Sequence, residues 1–367
     1  MIGDLATRAA PAGFSGSYLA ADVTFLLKTV EVDPTPVEQK ERMIQGGRHY
    51  SEMIAPERLP DRRYLDLYRA ALARNGARLA ADVAMLADRI LERSTGREIV
   101  VASLARAGTP IGVLLRRVLA ARGIPVAHYA ISIIRGRGID QVALAHIAAR
   151  HEPRDVIFVD GWTGKGAIAQ ELRSSLEERP LGFAPHLAVI ADPAGRADLS
   201  ATADDYLIAS GLLNAIVSGL VSRSILSEQT VGPGDFHACV HHPEWAPYDL
   251  SRSFVDLLTP IAIEGRRGPA SDCRRTPSER RDECDRTIAS IARRAGVDDL
   301  NRVKPGIAEA TRALLRRVPD RLFLRDVGDP DVAHLVHLAQ IAGVRIDALD
   351  GDSAYRAIAV VARRGGD

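Results

Sequence analysis

The residues best placed to do chemistry stand together in Asp155-Val-Ile-Phe-Val-Asp160-Gly-Trp-Thr-Gly-Lys-Gly166. Four apolar residues carry the carboxylate of Asp160 to the end of a buried strand. Gly161, Trp162, Thr163, Gly164, Lys165 and Gly166 then form a turn with one hydroxyl and one ammonium. Ala167 to Leu172 reads as helix. Strand, glycine-rich turn and helix N-terminus make an anion cradle, because glycines let backbone N–H groups approach and the helix dipole favours negative charge. Lys165 stands out: the 48 basic residues are 44 arginines and four lysines, at 28, 40, 165 and 304. A compact point charge is kept here by a chain that otherwise uses the planar guanidinium.

Three ligand readings of this turn compete with a bare βα turn that binds nothing. A P-loop is excluded, since Val159 replaces its first glycine and Gly166 its Ser/Thr. A dinucleotide fingerprint drawn from Gly164, Gly166 and Ala169, with Asp192 as ribose acid, is a weak match. Phosphoribosyl pyrophosphate needs an acid for its ribose hydroxyls, then N–H groups and a hydroxyl for its 5′-phosphate. Asp160 and the turn from Thr163 to Gly166 supply these parts.

The elements that must position the turn are further buried-strand runs. Glu98 to Ala105 ends in Arg106-Ala-Gly-Thr109, and Pro110 opens a helix to Arg122 at a place where its missing N–H costs nothing. With Ser103, Arg106, Gly108 and Thr109, this second turn suits a diphosphate. Pro125 to Ile134 is a third strand, followed by Arg135-Gly-Arg-Gly-Ile-Asp140, a mobile cationic loop whose Arg135 and Arg137 are expected to close over a polyphosphate; a solvated flexible turn is the bland alternative. His186 to Asp192 is a fourth strand. Strands alternating with helices predict a parallel, doubly wound α/β sheet with ligands at the carboxyl edge.

These strings, in this order, resemble the type I phosphoribosyltransferases. More closely, Ser103 to Gly112, His128 to Asp140, Phe158 to Ala167 and Asp204-Asp-Tyr-Leu-Ile208 resemble the phosphoribosyltransferase family of tellurite-resistance-associated operons, some of whose members are labelled cysteine protease StiP. The likeness spans most of residues 14 to 260. It implies a phosphoribosyltransferase using phosphoribosyl pyrophosphate and Mg²⁺ to ribosylate a nucleobase-like acceptor, with RNA as a further candidate. Asp160, Arg135 and Arg137 are the expected catalytic residues. The chain departs from the ordinary type I pattern at Gly161, where a second adjacent acid is usual. A non-catalytic nucleotide- and RNA-binding regulator is the alternative of a different class.

Length and composition predict two domains in a soluble protein with near-zero net charge, +1. No apolar run approaches the roughly 20 residues of a bilayer span. The first residues lack a signal-peptide pattern, and three cysteines make no disulfide framework, so a cytoplasmic site is expected, with oligomerisation left open. The expected organisation is a helical N-terminal region over 1–95 with a long amphipathic helix from Tyr64 to Arg93, the phosphoribosyltransferase-like domain over 96–262, an Arg-rich linker over 263–300, and a small α/β sandwich over 301–367. That last unit resembles the Pelota-like RNA-binding domains through Gly306, Glu309, Thr311 and Arg312. The resemblance implies that Lys304, Gly306, Glu309 and Arg312 meet RNA, although Ala308 stands where an asparagine is usual.

A cysteine protease needs a Cys–His pair. Cys239 has His237, His241 and His242 as sequence neighbours, but such dyads are assembled in space rather than along the chain. No second ligand pair at zinc-like spacing supports a metal site. Cys273 and Cys284 are expected to be exposed in the linker.

Overall fold

The computed structural model describes residues 13–94, 96–265 and 275–362. Residues 1–12 of the expected N-terminal region and Cys273 lie outside the described residues. In chain order, the short strands β1 (Thr24–Phe25) and β2 (Lys28–Thr29) precede α1 (Val37–Gln45) and the long α2 (Arg62–Arg93). Then β3 (Ile99–Ala105), α3 (Thr109–Ala121), β4 (Val126–Ile134), β5 (Gly138–Ile139) and α4 (Gln141–Ala148) follow. The series continues with β6 (Val156–Trp162), α5 (Ala167–Glu178), β7 (Leu187–Ala191) and β8 (Leu199–Thr202). After β9 (Ala238–Cys239) and α6 (Ser251–Ile263) comes a second unit. It contains α7 (Pro277–Ala295), β10 (Val303–Pro305), α8 (Ile307–Arg316), β11 (Pro319–Leu324), α9 (Ala333–Ala342), β12 (Arg345–Ala348) and β13 (Ala357–Val361).

The main sheet runs β1-β4-β3-β6-β7-β8, every pair parallel, with β5 antiparallel on β4. The fold is thus mixed α/β with a parallel sheet. Period-two alternation divides its core. Val101 and Val159 face the side covered by α2, α3 and α6, whereas Val100, Ala102 and Phe158 face α4 and α5. From β3 the chain steps to β4 on one side and later to β6 on the other. The crevice beyond the carboxyl ends of β3 and β6 is therefore the switch point where such sheets take ligands.

The second unit's sheet is β10-β13-β11-β12, antiparallel except for the β11–β12 pair. The stretch expected to be a linker holds α7, opened by a Thr276/Glu279 capping box. One stripe of that polar helix, Cys284, Ile288, Ile291 and Ala292, is buried with Val303, Phe323 and Tyr355. Cys284 is accordingly buried rather than exposed, its thiol donating to the Pro193 carbonyl at 3.5 Å. Among the described residues no helix is long and apolar enough to cross a membrane.

The two units are bolted together by polar groups far apart in sequence. Asp205 accepts from the N–H of Ile307 (3.0 Å) and that of Arg356 (2.9 Å), so a carboxylate of the first unit caps the first turn of α8 in the second. Arg356 pairs with Asp204 at 2.7 Å, and Arg280 donates to the Asp192 carbonyl at 2.7 Å.

Candidate functional site

The turn after β6 lies in the seam between the units. Gly164 leaves room for Glu309 of α8: a Cβ there would stand 2.9 Å from the Glu309 Cγ. Gly164 accepts a hydrogen bond from the Tyr355 hydroxyl at 3.2 Å. Gly166 adopts φ +87°, as a glycine can, to turn the chain into α5. Thr163 donates its hydroxyl to Asp192, whose carboxylate also accepts from the N–H groups of Arg196 (2.9 Å) and Ala197 (3.1 Å). Lys165 donates to the Leu300 carbonyl at 2.7 Å. Burial, with Lys304 and Arg135 nearby, brings its pKa down to about 8.

Asp160 sits at the floor. Its Oδ1 accepts from the Gly161 N–H at 2.8 Å, and burial pushes its pKa up to about 6 against the pull of Arg312. Glu309 is held below the ordinary carboxylate range, its own burial outweighed by Arg312 and Lys304. Arg312 pairs with Glu309 at 2.9 Å and lies 4.7 Å from the Trp162 ring centroid.

These groups line a cavity of about 370 Å³. Three of the four lysines (Lys40, Lys165 and Lys304) and five arginines (135, 223, 312, 316 and 317) border it, against two carboxylates, Asp160 and Glu309. A second hollow of about 250 Å³ adjoins it, sharing Asp160, Trp162, Arg312 and Arg316 and reaching Arg106 and Ala107. A concave site walled by one sign of charge concentrates ligands of the other.

The residues expected to hold a ligand divide into those that meet the cavity and those spent on structure. Asp160, Trp162, Thr163, Gly164, Lys165, Gly166 and Arg135 border it. Ser103 does not: its hydroxyl is buried against His128 Nε2 at 2.8 Å, because its strand position faces the side of the sheet covered by α3, where Gly112 passes close over both side chains. Arg106 is buried in an ion pair with Glu57 at 2.6 Å and also donates to the Val221 carbonyl at 2.7 Å. Gly108 is a packing residue pressed on β6, and Thr109 is fully buried at the start of α3. The 135–140 loop, expected to be mobile, is pinned. Gly136 and Gly138 donate their N–H groups to Glu171 at 2.7 and 2.8 Å, and Arg137 pairs with Glu52 at 2.9 Å. Lys304, Gly306, Glu309 and Arg312, expected to meet RNA, face the first unit, with Lys304, Glu309 and Arg312 bordering the cavity.

Lys40, Arg223 and Arg316 border the cavity without having been singled out. The rarity of lysine was a usable signal for Lys40. Arg316 depends on a helix face met only in the fold, and its pKa is brought down to about 9 by burial and by Arg106.

The cysteine candidates have a different environment. Cys239 is fully buried on β9, and burial pushes its thiol up to about 12. Among the described residues no hydrogen bond joins it to a histidine. His237 bonds Ser132 Oγ at 2.8 Å, and His242 bonds Glu244 at 2.9 Å while stacking on Trp245. Burial likewise raises Cys284 to about 11. Among the described residues no group of three or more His, Cys, Asp or Glu is arranged to hold a metal ion.

Comparison with known proteins decides the family. The family model described as "Tellurite-like stress resistance cysteine protease StiP" matches residues 16–259. The chain belongs to that family. A curated relative from Acinetobacter baylyi, named "Cysteine protease StiP", is 41% identical over 96% of this chain and 95% of its own length. The family model described as "PELOTA RNA binding domain" matches residues 282–363, beginning inside α7. Solved structures superpose only in part. A hypoxanthine phosphoribosyltransferase of Trypanosoma cruzi is 18% identical, covering 34% of this chain and 75% of its own, with a TM-score of 0.26. Its complex with the product IMP gives 17% identity, 34% and 70% coverage, and the same TM-score. So slight a likeness carries no argument.

These names correct the expectation of phosphoribosyl transfer. Both the family model and the relative covering nearly the whole chain are described as cysteine protease StiP. The assignment as a phosphoribosyltransferase falls with that expectation. The tellurite-type stress association and the Pelota RNA-binding domain agree with the matches.

Proposed function

We propose that this chain serves in stress resistance of the tellurite-like kind by binding a phosphate-bearing ligand in the cleft between its two units. The observation that carries the reading is the cavity wall: three of the chain's four lysines and five arginines against two carboxylates. Lys165 and Lys304 both have pKa values lowered first by burial and then by neighbouring cations, and an anion among them relieves that second part. In architecture, we propose that the parallel sheet with its cleft at the carboxyl edge is of the type I phosphoribosyltransferase kind, without a claim to that reaction. Magnesium is a poor fit, because Glu309 is already paired with Arg312 and Asp160 has no second acid beside it on the strand.

Calorimetric titration of the full chain with inorganic pyrophosphate tests this reading. Binding is expected to weaken about ten-fold in Lys165→Met and in Lys304→Met, the loss of one charge-assisted contact, and to weaken with added salt. No binding heat, or variants that bind equally well, would sink the idea. The Pelota domain's name supports RNA as one source of the phosphate. Competition by a short single-stranded RNA separates that source from a free small molecule.

Proteolysis is a second reading, supported by the names of the family and of the relative. Cys239 and Cys284 would each need to reach the surface, since a buried thiol far above neutral pKa supplies little nucleophilic thiolate. Under this reading the full chain cleaves casein and one of Cys239→Ala, Cys273→Ala or Cys284→Ala abolishes cleavage. Cleavage surviving in all three would end it.

A further inference from the structure

Arginine would serve a purely phosphate-binding cavity at least as well as lysine, because its planar fork matches phosphate oxygens two at a time. The chain has 44 arginines and four lysines, yet Lys40, Lys165 and Lys304 all border this one cavity. What lysine alone can offer is a neutral amine, since a guanidinium keeps its proton in proteins. The fourth lysine shows the other use of the residue. Lys28 is held in an ion pair with Asp235 at 2.8 Å, which favours its charged form.

Lys165 is held differently. Among the described residues no carboxylate lies within ion-pair distance of its ammonium, or of that of Lys304. Lys165 Nζ donates to the Leu300 carbonyl at 2.7 Å and reaches the Val303 carbonyl at 3.5 Å. A neutral amine has two N–H donors for those two oxygens and a lone pair left over. Burial lowers the pKa of Lys165 most, and Lys304 and Arg135 lower it further. Asp299 and Glu309 oppose them, and the outcome is about 8. A desolvated lysine beside another cation is the setting in which an amine becomes nucleophilic near neutral pH. The two lysines come from different units: Lys165 from the turn after β6, Lys304 from β10. The pair therefore exists only where the units meet.

We propose that Lys165 is an amine nucleophile that forms an imine with a phosphorylated aldehyde bound in the cleft. The Nζ lone pair forms a bond to the carbonyl carbon while one amine hydrogen passes to the oxygen, giving a carbinolamine. The hydroxyl then leaves as water with the second amine hydrogen. The carbonyl oxygen and both hydrogens depart together, and nothing is oxidised or reduced. Lys304 acts through Lys165, because its charge favours the neutral amine, and it is a positioning residue. The phosphate is left to arginines of the wall, Arg135, Arg223 and Arg316. This inference rests on the phosphate-binding reading above and deepens it by giving the ligand a carbonyl group.

The test incubates the full chain with glycolaldehyde phosphate, reduces the mixture with borohydride and locates the adduct by peptide mass spectrometry. The expected result is one adduct, on Lys165, among the four lysines. It should form about ten-fold faster than with unphosphorylated glycolaldehyde, the scale of one hydrogen bond to a charged group, and excess pyrophosphate should suppress it. Lys165→Arg is expected to keep pyrophosphate binding, because the charge remains, and to give no adduct. Lys304→Met is expected to form the adduct with its pH profile displaced upward, which a merely structural role would leave in place. If pyrophosphate binds but no adduct forms, or the adduct spreads over the other lysines, or glycolaldehyde reacts equally fast, the nucleophile assignment is overturned and the basic cleft stands. If pyrophosphate does not bind the wild type, the basic cleft itself fails and takes this proposal with it.

Discussion

Asp331→Ala is expected to destabilise the protein by about 3 kcal/mol, the scale for removing one partner of a buried charged network. Asp331 is 4% exposed and stands at the junction of the units. Its Oδ1 accepts from Arg74 Nε at 3.0 Å and Asn75 Nδ2 at 2.8 Å. Its Oδ2 accepts from the Leu207 N–H at 3.2 Å and Arg356 Nη1 at 3.3 Å. Alanine would leave those donors without their carboxylate, and the buried amide of Asn75 keeps only the Leu207 carbonyl. Equilibrium unfolding in urea measures the loss; a change below about 1 kcal/mol, the level of an ordinary surface substitution, would contradict this account of the junction. Asp331→Asn should fall between, since an amide keeps one acceptor and places a donor against the rest.

The second large effect belongs to a glycine pair of opposite character. A Cβ on Gly108 would stand 2.3 Å from the Val159 carbonyl oxygen, 3.0 Å from the Leu104 nitrogen and 3.1 Å from the Asp160 Cα. All three are backbone atoms, so no side chain can swing away. The backbone conformation at Gly108 is ordinary (φ −72°, ψ −20°), so space is the obstacle. Gly108→Ala is therefore expected to cost about 2–3 kcal/mol by overpacking, and to weaken pyrophosphate binding by shifting the β6 tip that leads into the anion turn. Gly161→Ala is the control. Its Cβ would meet nothing nearer than 3.8 Å, and the change should cost less than about 1 kcal/mol. Thermal unfolding of the two variants side by side checks the contrast, and equal stability would refute it.

Most of the first unit was legible because its strands are continuous apolar runs closed by glycine or proline. Val100 to Leu104 and Val156 to Val159 are buried on both faces, as a parallel sheet requires. The anion turn was legible for a second reason, the lone lysine among arginines. What sequence spacing could not give was direction. Ser103 belongs to the right strand but points to the sheet face under α3, where its hydroxyl meets His128. The pinning of Gly136 and Gly138 depends on Glu171, more than thirty residues away. In α7, the stripe Cys284, Ile288 and Ile291 has helical spacing, but its charged surroundings made it read as linker. The short strands β10 and β13 also escaped notice, although Ala357–Val361 is fully buried.

The correction of function came from outside the fold. Anion-cradle residues do converge on a cavity, but a cavity suited to phosphate does not specify a reaction. The protease name in turn finds no poised thiolate among the described residues. The titration with pyrophosphate and the cysteine variants address these two points separately.

The cap that Asp205 places on α8 has a consequence for inheritance. Its carboxylate holds the N–H groups of Ile307 and Arg356, while Asp204 holds the Arg356 side chain. A gene that acquired a foreign C-terminal segment would keep two buried or half-buried acids with nothing to receive them. Joining the first unit to a foreign second half near residue 265 would thus cost stability unless the new half supplied the same donors. The boundary between the units is a seam in the chain, and it is not a place where the protein can be divided into interchangeable modules.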